Sequence, residues 1–179
     1  MKAITLTQPF ATLVAIGAKS VETRSWFIGP NPRGHGAQML GLPLAIHAAK
    51  GFPVEAQMLV AQEPFASALR RAFPDAASPR ECIDQLPRGA VIATAVLLHC
   101  VTVEHLERSP YLTPTERVFG DYSPGRIAWR LWDVRPFAEP IPARGSLGLW
   151  EWESPAEQSA RFAESAATQA WLPLAPAKQ

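Results

Sequence analysis

The sequence predicts a small α+β fold of about five to six strands with short flanking helices. Two segments, residues 21–26 and 126–134, alternate between polar and apolar side chains as strands do. Between them, residues 90–101 form a long apolar run that is typical of a strand in the middle of a barrel. With 179 residues and a hydrophobic content of 47%, the chain is long enough to bury one hydrophobic core and too short to bury two of ordinary size.

The N-terminal part is predicted to contain three strands and one helix. A first strand at residues 4–6 precedes a short helix at residues 9–16, which has proline in its first turn and ends at Gly17. The second strand, residues 21–26, leads into a loop rich in Gly and Pro, and residues 42–48 form the third. A short turn that contains Lys19 therefore joins the helix to the second strand.

The later elements are predicted from chain breakers and helix caps. They are a helical segment at residues 54–73 with a break at Pro64, a helical turn at 79–86, a helix start at 113–116 and a strand at 148–152. The predicted domain covers residues 1–153. The alanine-rich tail, residues 154–179, is predicted to form a C-terminal helix on the outside of the barrel.

Basic side chains are concentrated near the N-terminus, although the formal net charge of the whole chain is only +1. Residues 1–54 contain one acidic residue, Glu22, and five basic residues: Lys2, Lys19, Arg24, Arg33 and Lys50. A local patch suits a phosphate-bearing or other anionic ligand, whereas a long duplex requires many phosphate contacts. A short single strand or a nucleotide is therefore the favoured ligand.

The two cysteines, Cys82 and Cys100, belong to no CxxC motif and have no histidine at metal-ligand spacing. We expect reduced thiols and neither a metal nor another cofactor. The N-terminus lacks the pattern of a secretion signal, and no apolar stretch reaches the roughly 18 residues of a membrane span. The sequence therefore predicts a soluble cytoplasmic protein without a membrane partner.

Lys19, Glu22 and Arg24 are the leading candidates for a functional site. Glu22 and Arg24 share one face of the second strand and Lys19 lies just before it, so the three can converge. They could form a surface ion pair worth at most about 1 kcal/mol. Alternatively, Glu22 orients two cations that bind an anion or a base edge. In an apolar barrel mouth, desolvation and Arg24 would lower the pKa of Lys19, as a general base requires, and Glu22 would oppose that shift.

Trp26 and Tyr122 are the aromatic candidates for stacking on a nucleobase, because both flank polar loop residues. Arg126 follows Tyr122 in a turn, from which both could reach a ligand at the far lip of the barrel. An Asp-capped turn equally explains this segment without a function.

The string GAKSVETR at residues 17–24 resembles the GxKxxExR signature of the ASCH family, small β-barrels similar to the PUA RNA-binding fold. Further segments resemble the family in the same order, at residues 4–10, 44–50, 86–93, 119–129 and 145–150. Together they cover residues 2–153. The resemblance implies a PUA-like mixed β-barrel whose cleft is bordered by the motif and by the third strand, with His47 and Lys50 as lining residues.

Two function classes remain open. Some ASCH-like proteins are amidohydrolases that act on acylated cytidine with a Lys, a Thr three residues later and a Glu. Here Glu22 follows Lys19 at that spacing, so this reaction does not carry over directly, and ribonuclease activity is also attributed to ASCH-like proteins. We favour binding of single-stranded RNA or a modified nucleoside or nucleotide. The alternative is a small hydrolase with Lys19 and Glu22 as catalytic residues. A third hypothesis is a protein-interaction module.

Overall fold

The computed structural model describes residues 1–28, 41–157 and 159, in which a six-stranded mixed sheet is flanked by short helices. The strands are β1 (Lys2–Leu6), β2 (Val21–Arg24), β3 (Leu42–Ala48), β4 (Ala90–Thr102), β5 (Ile127–Pro142) and β6 (Leu149–Glu151). The helices are α1 (Phe10–Ala15), α2 (Val54–Leu59), α3 (Phe65–Ala72), α4 (Pro79–Gln85), α5 (Val103–Leu106) and α6 (Pro114–Val118). The predicted α+β class is confirmed.

The strand order is β2-β5-β4-β3-β1-β6, with β1 and β3 parallel and the other neighbours antiparallel. Four strand spacings separate β2 from β1, which would be about 19 Å in a flat sheet. Yet the Arg24 guanidinium on β2 donates a hydrogen bond of 2.9 Å to the Thr5 carbonyl on β1. The sheet must therefore curl, and the Arg24 side chain bridges its two sides as a barrel closure would.

Bulges in the two long strands accompany this curl. The register between β4 and β5 shifts at three places, and the β3–β4 register shifts between Ile46 and His47. Such bulges bend a strand and increase its twist. β5 continues to Pro142, eight residues beyond the end that the alternation predicts, because β4 is long enough to pair with this extension.

The main core fills the concave side of the sheet. Ile4, Ile46 and Trp129 are almost completely buried there, and α1 covers them. A second cluster around Phe65 and Leu69 joins α2–α4 to α1. The helix break at Pro64 is confirmed, since it separates α2 from α3.

Two predicted features lie largely outside the described residues: the Gly- and Pro-rich loop after β2, and the helix of the tail, of which only residues 155–157 and 159 are described, as helix. Within the described ranges, no helix has the length and apolar character needed to cross a membrane. Cys82 and Cys100 are both buried free thiols, and burial raises the pKa of Cys100 to about 11.

Candidate functional site

The turn between α1 and β2 places Lys19 beneath the sheet. Gly17 has a φ of 73°, a left-handed conformation that glycine adopts without strain, and it ends α1. The Lys19 amide then donates to the Leu13 carbonyl at 2.9 Å, which satisfies one open carbonyl of the helix end. This turn fixes the position from which the Lys19 side chain enters the protein.

Lys19 is not a surface residue, since its side chain is only 1% exposed. Its ammonium donates to the Val21 carbonyl at 2.5 Å and lies 3.8 Å from Glu22 Oε2 and 3.9 Å from Glu116 Oε1. Desolvation lowers the pKa of Lys19, Glu22 and Glu116 oppose that shift, and Arg24 adds to it. The interpretation as an exposed ion pair therefore does not describe this lysine.

Glu116, at the first turn of α6, anchors this cluster. Its carboxylate accepts from the backbone N–H and the hydroxyl of Ser20, from the Val21 N–H and from the Tyr122 hydroxyl. The carboxylate is only 5% exposed, and these four donors replace the hydrogen bonds to water that burial removes. These bonds fix the start of β2, and with it the position of Lys19.

Glu22 and Arg24 form the accessible part of the motif. Arg24 Nε lies 3.2 Å from Glu22 Oε1, and the two side chains are 25% and 13% exposed, respectively. The predicted convergence of the three motif residues is present in the structure. Arg24 Nε makes this ionic contact without hydrogen-bond geometry, so its N–H is left without an acceptor.

We call the depression beside these residues the motif cleft; it has two lobes that share Phe10 and Glu22. One lobe, of about 180 Å³, is bordered by Arg24 and by residues 5–7. The other, of about 370 Å³, is bordered by Lys19, Arg126 and residues 118–121. A Cβ on Gly120 would lie 2.9 Å from the Tyr122 ring and 3.1 Å from Lys19 Nζ. Glycine at this position therefore allows the wall to approach both groups.

The remaining candidates on this side occupy different depths. Arg126 lines the larger lobe, where it pairs with Asp121 at 3.2 Å and donates to the Thr23 carbonyl at 3.0 Å. Tyr122 is 9% exposed and lies behind Lys19, with its ring centroid 5.8 Å from the ammonium. Burial and the neighbouring Glu116 raise the pKa of Tyr122. The Trp26 ring packs edge-on against Trp129, with 4.8 Å between the ring centroids. Neither Trp26 nor Tyr122 is among the residues that border the motif cleft.

His47 and Lys50 are not in the motif cleft. They line a separate cleft of about 900 Å³ at the end of β3, which we call the His47 cleft. Its walls are the end of β3, the turn at Arg88 and Gly89, and residues 142–147. The His47 side chain alternates away from Ile46, which belongs to the main core, so it points to the separate cleft and not into that core. Thr5 borders both.

The His47 ring has a fixed orientation and an environment that favours its uncharged form. Its Nε2 lies 3.1 Å from the Ala143 carbonyl, which can only accept, so Nε2 carries the proton and Nδ1 the lone pair. Nδ1 is buried and has no hydrogen-bond partner. Desolvation lowers the pKa of His47, and the bond to Ala143 opposes this.

Four residues in or behind these clefts were not recognised as candidates from the sequence. In the sequence, Glu116 only indicates a helix start, and Phe10 is only part of the first predicted helix. Arg88 and Arg144 each stand beside a glycine, and nothing in the sequence indicates that these two segments lie close together. Within the described ranges, no cluster of three His, Cys, Asp or Glu side chains could hold a metal ion.

No protein-family model and no curated protein matches the chain. Among solved structures, it is similar to the crystal structure of ASCH from Zymomonas mobilis, with 18% identity, a TM-score of 0.45 and coverage of 90% of this chain and 93% of that one. A mutant of the same protein gives 18% identity, a TM-score of 0.46 and coverage of 90% and 96%. Both of these solved structures are of ASCH from Zymomonas mobilis. The identity and TM-scores transfer neither a ligand nor an activity.

Proposed function

We propose that the motif cleft binds the base and sugar of a nucleotide, presented free or in single-stranded RNA. The observation that carries this proposal is the Glu22–Arg24 pair, which holds a carboxylate and a guanidinium side by side; Glu22 borders both lobes and Arg24 borders the smaller one. A carboxylate accepts from amino groups of bases, and a guanidinium donates to carbonyl and ring acceptors. The pair can thus both accept hydrogen bonds from a base edge and donate hydrogen bonds to it.

The charges of this cleft favour a base over a bare anion. Each cation there already has a carboxylate within 4 Å: Lys19 and Arg24 have Glu22, and Arg126 has Asp121. The expectation of a local basic patch therefore has to be refined for the motif cleft, because paired cations attract free anions weakly. Phe10, half-buried and shared by both lobes, offers an aromatic face for stacking.

The test is fluorescence anisotropy with a labelled ten-nucleotide single-stranded RNA of mixed sequence, competed with free cytidine and N4-acetylcytidine. Glu22→Gln and Arg24→Lys remove the charge of the acceptor and the flat donor fork, respectively. Lys2→Gln, in an exposed ion pair with Glu151, is the matched control. We expect the first two variants to bind at least tenfold more weakly and the control to bind as wild type. Equal affinity in all four proteins would contradict the proposal.

Hydrolysis of such a ligand is the second candidate, and a specific observation favours it. Lys19 borders the larger lobe, and burial lowers its pKa toward the range in which a general base functions. The same RNA and N4-acetylcytidine are followed for product formation with wild type and Lys19→Met, whose folding is checked by circular dichroism. Turnover that disappears in a folded Lys19→Met would identify an enzyme. Binding without turnover would leave a recognition module.

A further inference from the structure

The His47 cleft differs from the motif cleft in the state of its charges. Lys50, Arg88 and Arg144 line it, all three are exposed, and no acidic side chain is among its lining residues. None of the three belongs to any ion pair of the described part of the chain. Three uncompensated positive charges therefore face one concavity in a chain whose net charge is +1.

The backbone that carries these side chains is tied together across the cleft. The Gly89 N–H donates to the Ala48 carbonyl at 2.8 Å, and the Ala143 N–H donates to the Gly89 carbonyl at 3.0 Å. These two bonds link the end of β3, the turn that holds Arg88 and the loop that holds Arg144. The three charges are thus brought together by the fold from positions far apart in sequence.

The back of the cleft is equally constrained. The Thr5 hydroxyl donates to the Ser146 carbonyl at 2.9 Å and accepts from the Trp150 indole at 3.1 Å. A Cβ on Gly145 would lie 2.3 Å from His47 Cε1 and 2.6 Å from Nδ1, so only glycine lets the loop pass over the ring. His47 is 2% exposed and its Nδ1 has no partner. Because Nδ1 carries a lone pair, it does not bind an oxyanion, and the groups that can do so here are the three exposed cations.

From this arrangement we propose that the His47 cleft is a second binding site, which takes phosphate oxyanions through Lys50, Arg88 and Arg144. Arginine offers a planar donor fork and lysine a mobile point charge, and both are standard phosphate ligands. The volume of about 900 Å³ exceeds what one phosphate needs and admits a diphosphate or two linked nucleotides. The inference does not rest on the proposed function of the motif cleft, because a phosphate without a base tests it alone.

Two sources can supply this chemistry: the phosphodiester backbone of RNA or a free phosphate compound. Thr5 borders both clefts, so a strand with a base in the motif cleft has its neighbouring phosphates beside the His47 cleft. The probes that separate the sources are sodium pyrophosphate, the oligonucleotide U8 and the uncharged nucleoside uridine.

The experiment is isothermal titration calorimetry of the full chain with these three probes at fixed ionic strength. The cleft variant combines Lys50→Gln, Arg88→Gln and Arg144→Gln. The matched control combines Arg71→Gln, Arg80→Gln and Arg108→Gln, which removes three exposed charges outside the cleft. Arg24→Lys is titrated alongside to report on the motif cleft.

We expect pyrophosphate or U8 to bind at least tenfold more weakly to the cleft variant and within twofold of wild type to the control variant. Binding of pyrophosphate would identify a free phosphate compound as sufficient, and binding of U8 alone would identify the RNA backbone. If both triple variants lose affinity equally, or if wild type binds neither probe, the proposal is overturned. If Arg24→Lys alone loses uridine binding, that loss reports on the motif cleft and does not change the conclusion about the His47 cleft.

Discussion

The two clefts of this protein use their charged residues in opposite ways. In the motif cleft, Lys19 and Glu116 are buried and satisfied by partners within the protein, and the accessible charges are paired with each other, Glu22 with Arg24 and Asp121 with Arg126. In the His47 cleft, the cations are exposed and have no acidic partner within the described residues. A charged motif at a site can therefore serve mainly to hold the fold together, while residues outside the motif present the free charge.

The largest effect that we predict is on stability, at Glu116. Glu116→Ala removes the acceptor of two backbone N–H groups and of two hydroxyls, and one of the carboxylates beside Lys19. The free energy of unfolding should fall by about 3–5 kcal/mol, since one partner of a buried charged network is lost. Urea unfolding followed by tryptophan fluorescence measures it.

The control for this prediction is Lys50→Ala, in the other cleft. Because Lys50 is exposed and outside every ion pair of the described chain, its removal should change the free energy of unfolding by no more than about 0.5 kcal/mol. Equal losses at Glu116 and Lys50 would show that the contrast between the clefts is wrong.

The second prediction compares one glycine from each cleft. Gly145→Ala places a methyl group against the buried His47 ring, which should cost about 1–3 kcal/mol of stability. Gly120→Ala meets the Tyr122 ring and the end of the flexible Lys19 side chain at longer distances, so it should cost less. Thermal unfolding of both variants gives the order. A larger loss at Gly120 would contradict the positions assigned to His47 and Tyr122.

The third prediction concerns binding through Phe10. If a base stacks on this ring, Phe10→Ala should weaken RNA binding by about 1–3 kcal/mol, or roughly 5- to 150-fold. Phe10→Leu keeps apolar volume against Phe65, which Phe10 contacts edge-on, but removes the flat face. Anisotropy titrations should show weakened binding in both variants. Wild-type affinity in a folded Phe10→Leu would exclude stacking.

The smallest effect is the pH dependence that His47 contributes. Because burial lowers its pKa in the folded state below the ordinary 6.5, the unfolded chain binds more protons in the interval between these values. The stability due to neutral His47 is thus present above pH 6.5 and is lost as the pH falls toward the folded-state pKa. The stability difference between wild type and His47→Gln should shrink from pH 7.5 to pH 5.5. A growing difference would contradict a neutral, desolvated ring.

The sequence was most informative where its signal is local. Period-two alternation correctly placed Glu22 and Arg24 on one strand face, and the glycine after α1 correctly ended that helix. It could not reveal that Lys19 is buried, because the residue that compensates it, Glu116, is almost a hundred positions away.

The same limit explains the aromatic residues and the second cleft. Tyr122 stands in a polar turn, yet its hydroxyl is buried, where it donates a hydrogen bond of 3.1 Å to Glu116. Arg88 and Arg144 line the same cleft because β4 and β5 pair in a register that bulges shift along the strands. Neither the register nor the contact can be read from residue spacing.

The most direct test of the difference between the clefts is the salt dependence of RNA binding. Affinity for U8 is measured from 50 to about 300 mM salt for wild type, Glu22→Gln and the Lys50, Arg88 and Arg144 triple variant. Each phosphate contact on a single strand contributes about 0.7 to the slope of log affinity against log salt. Three contacts thus predict a slope that is flatter by about 2 in the triple variant, with Glu22→Gln weaker at every salt concentration but unchanged in slope. Equal slopes in all three proteins would contradict the assignment of phosphate binding to the His47 cleft.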